Sequence, residues 1–98
     1  MDEILRAMFD ESARPTEPEP DWNRLTERMS VLTMRELKPV MRYFTGMFGG
    51  VSSKSERISI MVGQMRHWWL FFPTVENLKR IHDVLKELET VEFFKEGA

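Results

Sequence analysis

Between Ser53 and Pro73 the large apolar residues Ile58, Met61, Met65, Trp68 and Phe72 recur at intervals of three, four, three and four. That spacing returns side chains to one face of an α-helix and fits no strand, whose faces alternate every second residue. Ser53-Lys54-Ser55-Glu56 ahead of it is a capping-box pattern, in which a hydroxyl accepts from the backbone N–H three residues on and the glutamate reaches back. Gly63 lies inside the stripe, where glycine disfavours helix by up to about 1 kcal/mol against alanine, so close packing of another helix is the expected reason for it.

The rest of the chain repeats the theme. Asp21 caps a predicted helix carrying Trp22, Leu25 and Met29, and Thr33-Met34-Arg35-Glu36 is a second capping box opening onto Leu37, Met41 and Phe44. Pro39 within that segment removes a backbone donor, which predicts a kink or a late start, and Gly46 can end the helix in the left-handed conformation. Gly46 to Ser53, with three glycines and two serines, reads as an irregular loop. After Pro73, Thr74 caps a last helix over residues 74–90, with Leu78, Ile81, Leu85 and Leu88 on one face and Val91, Phe93 and Phe94 expected to tuck back onto the body. No Asn-Gly or Asp-Gly hairpin signal and no sustained alternation occurs. The expected fold class is all-α, a small helical domain of four to five helices including a helix-loop-helix core, with an acidic N-terminal arm.

Ninety-eight residues suffice for one such domain. We place it over residues 21–98, preceded by an arm over residues 1–20. Ala13 to Pro20 holds three of the five prolines and no large apolar residue, the composition of a linker. Asp2 to Glu11 before it can form a short amphipathic helix with Ile4, Leu5, Met8 and Phe9 on one side, too short to be stable alone.

Charge is distributed unevenly. The net charge is −2, yet residues 1–21 hold seven acids against two bases, whereas residues 33–70 hold six bases against two acids. A basic centre between acidic ends points toward an anionic partner, nucleic acid foremost.

Catalytic constellations are thin. There is no cysteine, and His67 and His82 fall on different predicted helices without a carboxylate at ligand spacing. No P-loop, nucleophile elbow or dinucleotide glycine fingerprint is present. The expectation is a protein that is not an enzyme, with no metal, no cofactor and no small-molecule substrate. No run reaches the roughly 18 apolar residues of a membrane span, and Met1-Asp2-Glu3 lacks the basic region of a signal peptide, so a cytoplasmic location is expected.

Two segments carry the functional expectations. Leu32-Thr33-Met34-Arg35-Glu36-Leu37-Lys38 and Ser53-Lys54-Ser55-Glu56-Arg57-Ile58 are similar to the two helix starts of the SAP domain, a helix, extended loop, helix module. The resemblance covers residues 32–65 and extends to the similarly shaped LEM domain and the N-terminal domain of Rho-type termination factors. It implies DNA binding, with Lys54 in the place of the family's phosphate-facing lysine and Glu36, Leu37 and Ile58 structural. Ser52 and Ser53 stand where the family has glycine, and Arg57 where it usually has leucine. The mechanism expected is a phosphate held at the start of the second helix by Lys54 and Arg57, with hydroxyl donors from Ser52 and Ser53 and further contacts from Lys38 and Arg42, one helical turn apart. The competing expectation is a protein-interaction or self-association module. It would use the cluster Trp68, Trp69, Leu70, Phe71 and Phe72, which cannot all be buried against one partner face, together with Ile4, Met8 and Phe9 of the arm.

Overall fold

The computed structural model describes residues 17–97. Four α-helices run α1 (Trp22–Ser30), α2 (Met34–Met41), α3 (Lys54–Phe71) and α4 (Val75–Gly97), and no strand occurs among the described residues. A 3-10 turn over Arg42–Phe44 follows α2. The all-α class read from the sequence holds. Ile4, Met8 and Phe9 lie outside the described residues.

The helix starts follow the capping residues. The Asp21 carboxylate accepts from the Arg24 amide, and at Thr33 both halves of the capping box form, with Glu36 N–H to Thr33 Oγ1 at 3.1 Å and Thr33 N–H to Glu36 Oε1 at 2.8 Å. Thr74 Oγ1 accepts from the Asn77 amide at 3.1 Å. At Ser53 only the first half forms, since its hydroxyl accepts from the Glu56 amide at 3.5 Å while Ser55 Oγ lies 3.0 Å away.

The helices bury one contiguous core. Leu25, Met29 and Leu32 meet Leu37, Val40 and Phe44, then Ile58, Met61, Met65 and Trp68 of α3 and Ile81, Val84 and Leu88 of α4. Helix α1 packs on α3, α2 packs on α4, and α3 and α4 form a hairpin. The Phe44 ring stacks on Trp68 with centroids 6.1 Å apart.

Polar contacts then fix the ends. After α1 the Val31 and Leu32 amides donate to the Glu27 and Met29 carbonyls, and a distant lysine serves the next ones: Lys54 Nζ donates to the Ser30 and Leu32 carbonyls at 2.9 and 3.1 Å. Arg28 grips both carboxylate oxygens of Glu92, with Nε to Oε2 at 3.0 Å. Lys95 Nζ donates to the Val31 carbonyl at 2.9 Å and lies 3.7 Å from Glu36.

Five expectations are corrected. The last helix extends past residue 90 to Gly97, because no glycine or proline interrupts it and Glu92 and Lys95 tie its final turns to Arg28 and Val31. Phe93 and Phe94 are consequently carried outward, 70% and 68% exposed, although Val91 does pack against the core. Phe72 drops out of the α3 stripe because α3 ends at Phe71: a residue before proline is pushed out of the helical region, and Phe72 sits at φ −136°, ψ 57°. Gly63 is exposed, and nothing stands within 4 Å of where its Cβ would be, so no close helix packing explains it. Pro39 sits inside α2, where it cannot supply the N–H that the Arg35 carbonyl would receive, and the α-helix tightens at Arg42 into the 3-10 turn.

Candidate polyanion interface

The helix α2 is where the positive groups gather. Arg35, Lys38 and Arg42 follow one another at three and four residues, the spacing that aligns side chains along one helical face. All three are exposed. The buried Leu37 and Val40 and the capping pair Thr33–Glu36 orient the opposite side of α2 toward the core, which turns this stripe outward.

The glycine loop completes a groove beside the stripe. Gly46 takes φ +86° as the chain leaves the 3-10 turn, and Gly49 and Gly50 both take positive φ in a turn closed by Val51 N–H to the Phe48 carbonyl at 2.9 Å. This turn folds Phe48 back toward the start of α3, where the Arg57 guanidinium lies 5.1 Å from its ring centroid. Arg57 is fixed further by Nε donating to the Val51 carbonyl at 2.8 Å and Nη1 to the Met41 sulfur at 3.8 Å. The resulting groove, of about 700 Å3, is lined by Arg35, Lys38, Arg42 and Arg57 over an apolar floor of Met34, Met41 and Phe48.

No carboxylate lines this groove. Among the described residues none of its four cations forms an ion pair with a carboxylate, whereas Arg28, Arg80 and Lys95 each have one nearby. Glu36, next to Arg35 in sequence, is held by the Thr33 backbone and Lys95; the Thr33 N–H bond is the main cause that brings its carboxyl below the ordinary range. The groove is therefore a concentrated positive site that no carboxylate among the described residues neutralises, on a chain whose net charge is negative.

The expected site is brought together in part. Lys38, Arg42 and Arg57 line one groove, beside α2 rather than around the first turn of α3. Lys54 does not join them, because its ammonium is spent on the carbonyls at the end of α1; the residue expected to face a phosphate is a helix cap. Ser53 is occupied by its own capping contacts, and Ser52 is exposed but does not line the groove. Arg35 and Phe48 were not anticipated. Arg35 was legible in the three-four spacing with Lys38 and Arg42, while Phe48 depends on a turn whose geometry only the loop's positive φ values establish.

The aromatic cluster divides. Trp68 is 7% exposed and belongs to the core, which removes it from any contact surface. Trp69 is half-buried and meets Trp22 edge-on, with centroids 6.3 Å apart. Leu70, Phe71 and Phe72 are exposed at the α3–α4 turn, where both Phe rings approach His67. No group of three or more potential metal ligands occurs among the described residues, and no helix there is long and apolar enough to cross a membrane. Comparison with protein-family models, with curated proteins and with solved structures finds no match.

Proposed function

We propose that this chain is a small, non-catalytic nucleic-acid-binding module that contacts the phosphate backbone through the groove of Arg35, Lys38, Arg42 and Arg57. The observation that carries this reading is the convergence of four cations, none neutralised by a described carboxylate, along one groove between α2 and the glycine loop. Arg35 and Lys38 on α2 and Arg42 in the 3-10 turn that continues it are exposed in a row, a spread that suits successive phosphates better than a single small anion, and Arg57 is held as a fixed fourth charge. The reading keeps the DNA-binding expectation drawn from the SAP-like segment but moves the contact from the α3 N-terminus to the α2 face. The acidic arm over residues 1–20 and a cytoplasmic location belong to the same proposal.

Fluorescence anisotropy with labelled duplex and single-stranded oligonucleotides at low salt tests it. Lys38→Glu/Arg42→Glu is expected to weaken binding at least about tenfold, since two phosphate contacts become repulsions. Undiminished affinity in that double variant would refute the groove.

A second reading, a protein-interaction module, is favoured by one observation. Leu70, Phe71, Phe72 and Val75 project together at the α3–α4 turn, with Phe71 67% and Phe72 54% exposed. Light scattering of the parent and of Phe71→Ser/Phe72→Ser separates the readings: concentration-dependent association lost in the variant supports a contact surface, and a monomer throughout counts against self-association.

A further inference from the structure

A second cavity lies on the other side of the hairpin. Trp69 of α3 and Leu78, Ile81 and Leu85 of α4 form its apolar floor, and its opposite wall is the chain's own Glu17, Pro18, Glu19 and Pro20; the half-open space between them is about 620 Å3. The two acids of this strap are its anchors. Both carboxylate oxygens of Glu17 lie beside His82 Nε2, at 3.1 and 3.0 Å, and Glu19 Oε1 accepts from Trp22 Nε1 at 2.8 Å. Trp22 in turn rests edge-on against Trp69, so both anchors border the same floor. Lys86 stands in the adjoining recess with Glu17 and His82, adding positive charge on that flank, and Glu89 lies further along it.

The strap's sequence matches what the surface offers. Acid and proline alternate, so the carboxylates reach the imidazole and the indole N–H while Pro18 and Pro20 line the apolar space. Proline fixes φ and keeps such a segment extended before it binds, which lowers the entropy lost on docking. The attachment is also loose. The Glu17–His82 pair is more than 60% exposed on both sides, the setting in which ion pairs contribute little.

We infer that the α3–α4 groove is a docking site for an acidic, proline-spaced extended segment of another protein, and that Glu17–Pro20 is its displaceable occupant within the chain. The complementarity is the one seen in the strap: two carboxylates two residues apart for His82 with Lys86 and for Trp22, and prolines for Trp69, Leu78, Ile81 and Leu85. This site is separate from the basic groove, and its success or failure leaves the nucleic-acid reading untouched.

The test uses the full chain and the synthetic peptide Thr-Glu-Pro-Glu-Pro-Asp, with the indole N–H signals of Trp22 and Trp69 followed by NMR. Glu17→Lys/Glu19→Lys should release the strap, move both indole signals, and raise affinity for the added peptide at least about twofold over the parent, whose loosely held strap competes for the same groove. Adding His82→Ala to that variant should abolish the gain. Indole signals that stay in place, no peptide binding by the released variant, or equal binding of Thr-Glu-Ala-Glu-Ala-Asp would each overturn the inference.

Discussion

Lys54→Met separates a structural lysine from a ligand-binding one. The substitution keeps an unbranched apolar stem but removes the ammonium that donates to the Ser30 and Leu32 carbonyls at 2.9 and 3.1 Å. Each hydrogen bond from a charged donor contributes about 1.5 to 3 kcal/mol when buried, and an ordinary one about 0.5 to 1.5 kcal/mol. Ser30 is exposed and its carbonyl can recover water, whereas the contact at Leu32 is partly buried, so about 0.5 kcal/mol applies to the first and about 0.5 to 1.5 kcal/mol to the second. The sum is a loss of about 1 to 2 kcal/mol, or roughly 4 to 16 °C in Tm for a domain of this size. Thermal unfolding followed by circular dichroism at 222 nm reads it directly, with urea titration as the check that the m-value is unchanged. Affinity for oligonucleotides should change less than twofold. A Tm within about 1 °C of the parent, or an intact fold with strongly reduced nucleic-acid binding, would refute the assignment of Lys54 as the cap of α1.

Other perturbations probe the fold around that joint. Gly63→Ala should stabilise by about 0.5 to 1 kcal/mol, because the position is an exposed helix interior with open space around the added methyl; chemical denaturation giving a loss would contradict this. Phe44→Ala should destabilise by about 3 to 5 kcal/mol, since the ring is fully buried against Trp68, and urea unfolding of the variant measures it. The Glu92 carboxyl is held below its ordinary value of 4.5, chiefly by the Arg28 hydrogen bond, and Glu36 below the same value, chiefly by the Thr33 N–H. Both are depressed, so their contribution is complete above that value and disappears as pH falls through the lower folded-state values. Tm should therefore drop between about pH 5 and pH 3, and Glu92→Gln should lower Tm at pH 7 while flattening part of that drop. An unchanged pH profile in the variant would remove the Arg28–Glu92 pair from the account.

The sequence disclosed local instructions better than distant ones. Asp21, Thr33 and Thr74 cap as their spacing predicts because a cap involves only residues three apart. Ile58, Met61, Met65 and Trp68 are buried for the same reason, their face being fixed by the helix period. What escaped reading depends on partners far along the chain. Nothing near Lys54 announces that the carbonyls at Ser30 and Leu32 lack donors, and nothing near Thr90 announces that Arg28 and Val31 will hold Glu92 and Lys95 and so prolong α4. The groove falls between these cases: its Arg35, Lys38 and Arg42 stripe is written in the α2 periodicity, but Arg57 and Phe48 reach it only through the Gly49–Gly50 turn.

The salt dependence of oligonucleotide binding tests the groove most directly, because it counts the phosphate contacts without assuming their geometry. Four contacts predict that log K against log salt for duplex DNA falls with a slope of about −3.6, and that Lys38→Met/Arg42→Met lowers its magnitude by about two units. A slope near zero, or one that the double substitution leaves unchanged, would contradict phosphate binding by Arg35, Lys38, Arg42 and Arg57.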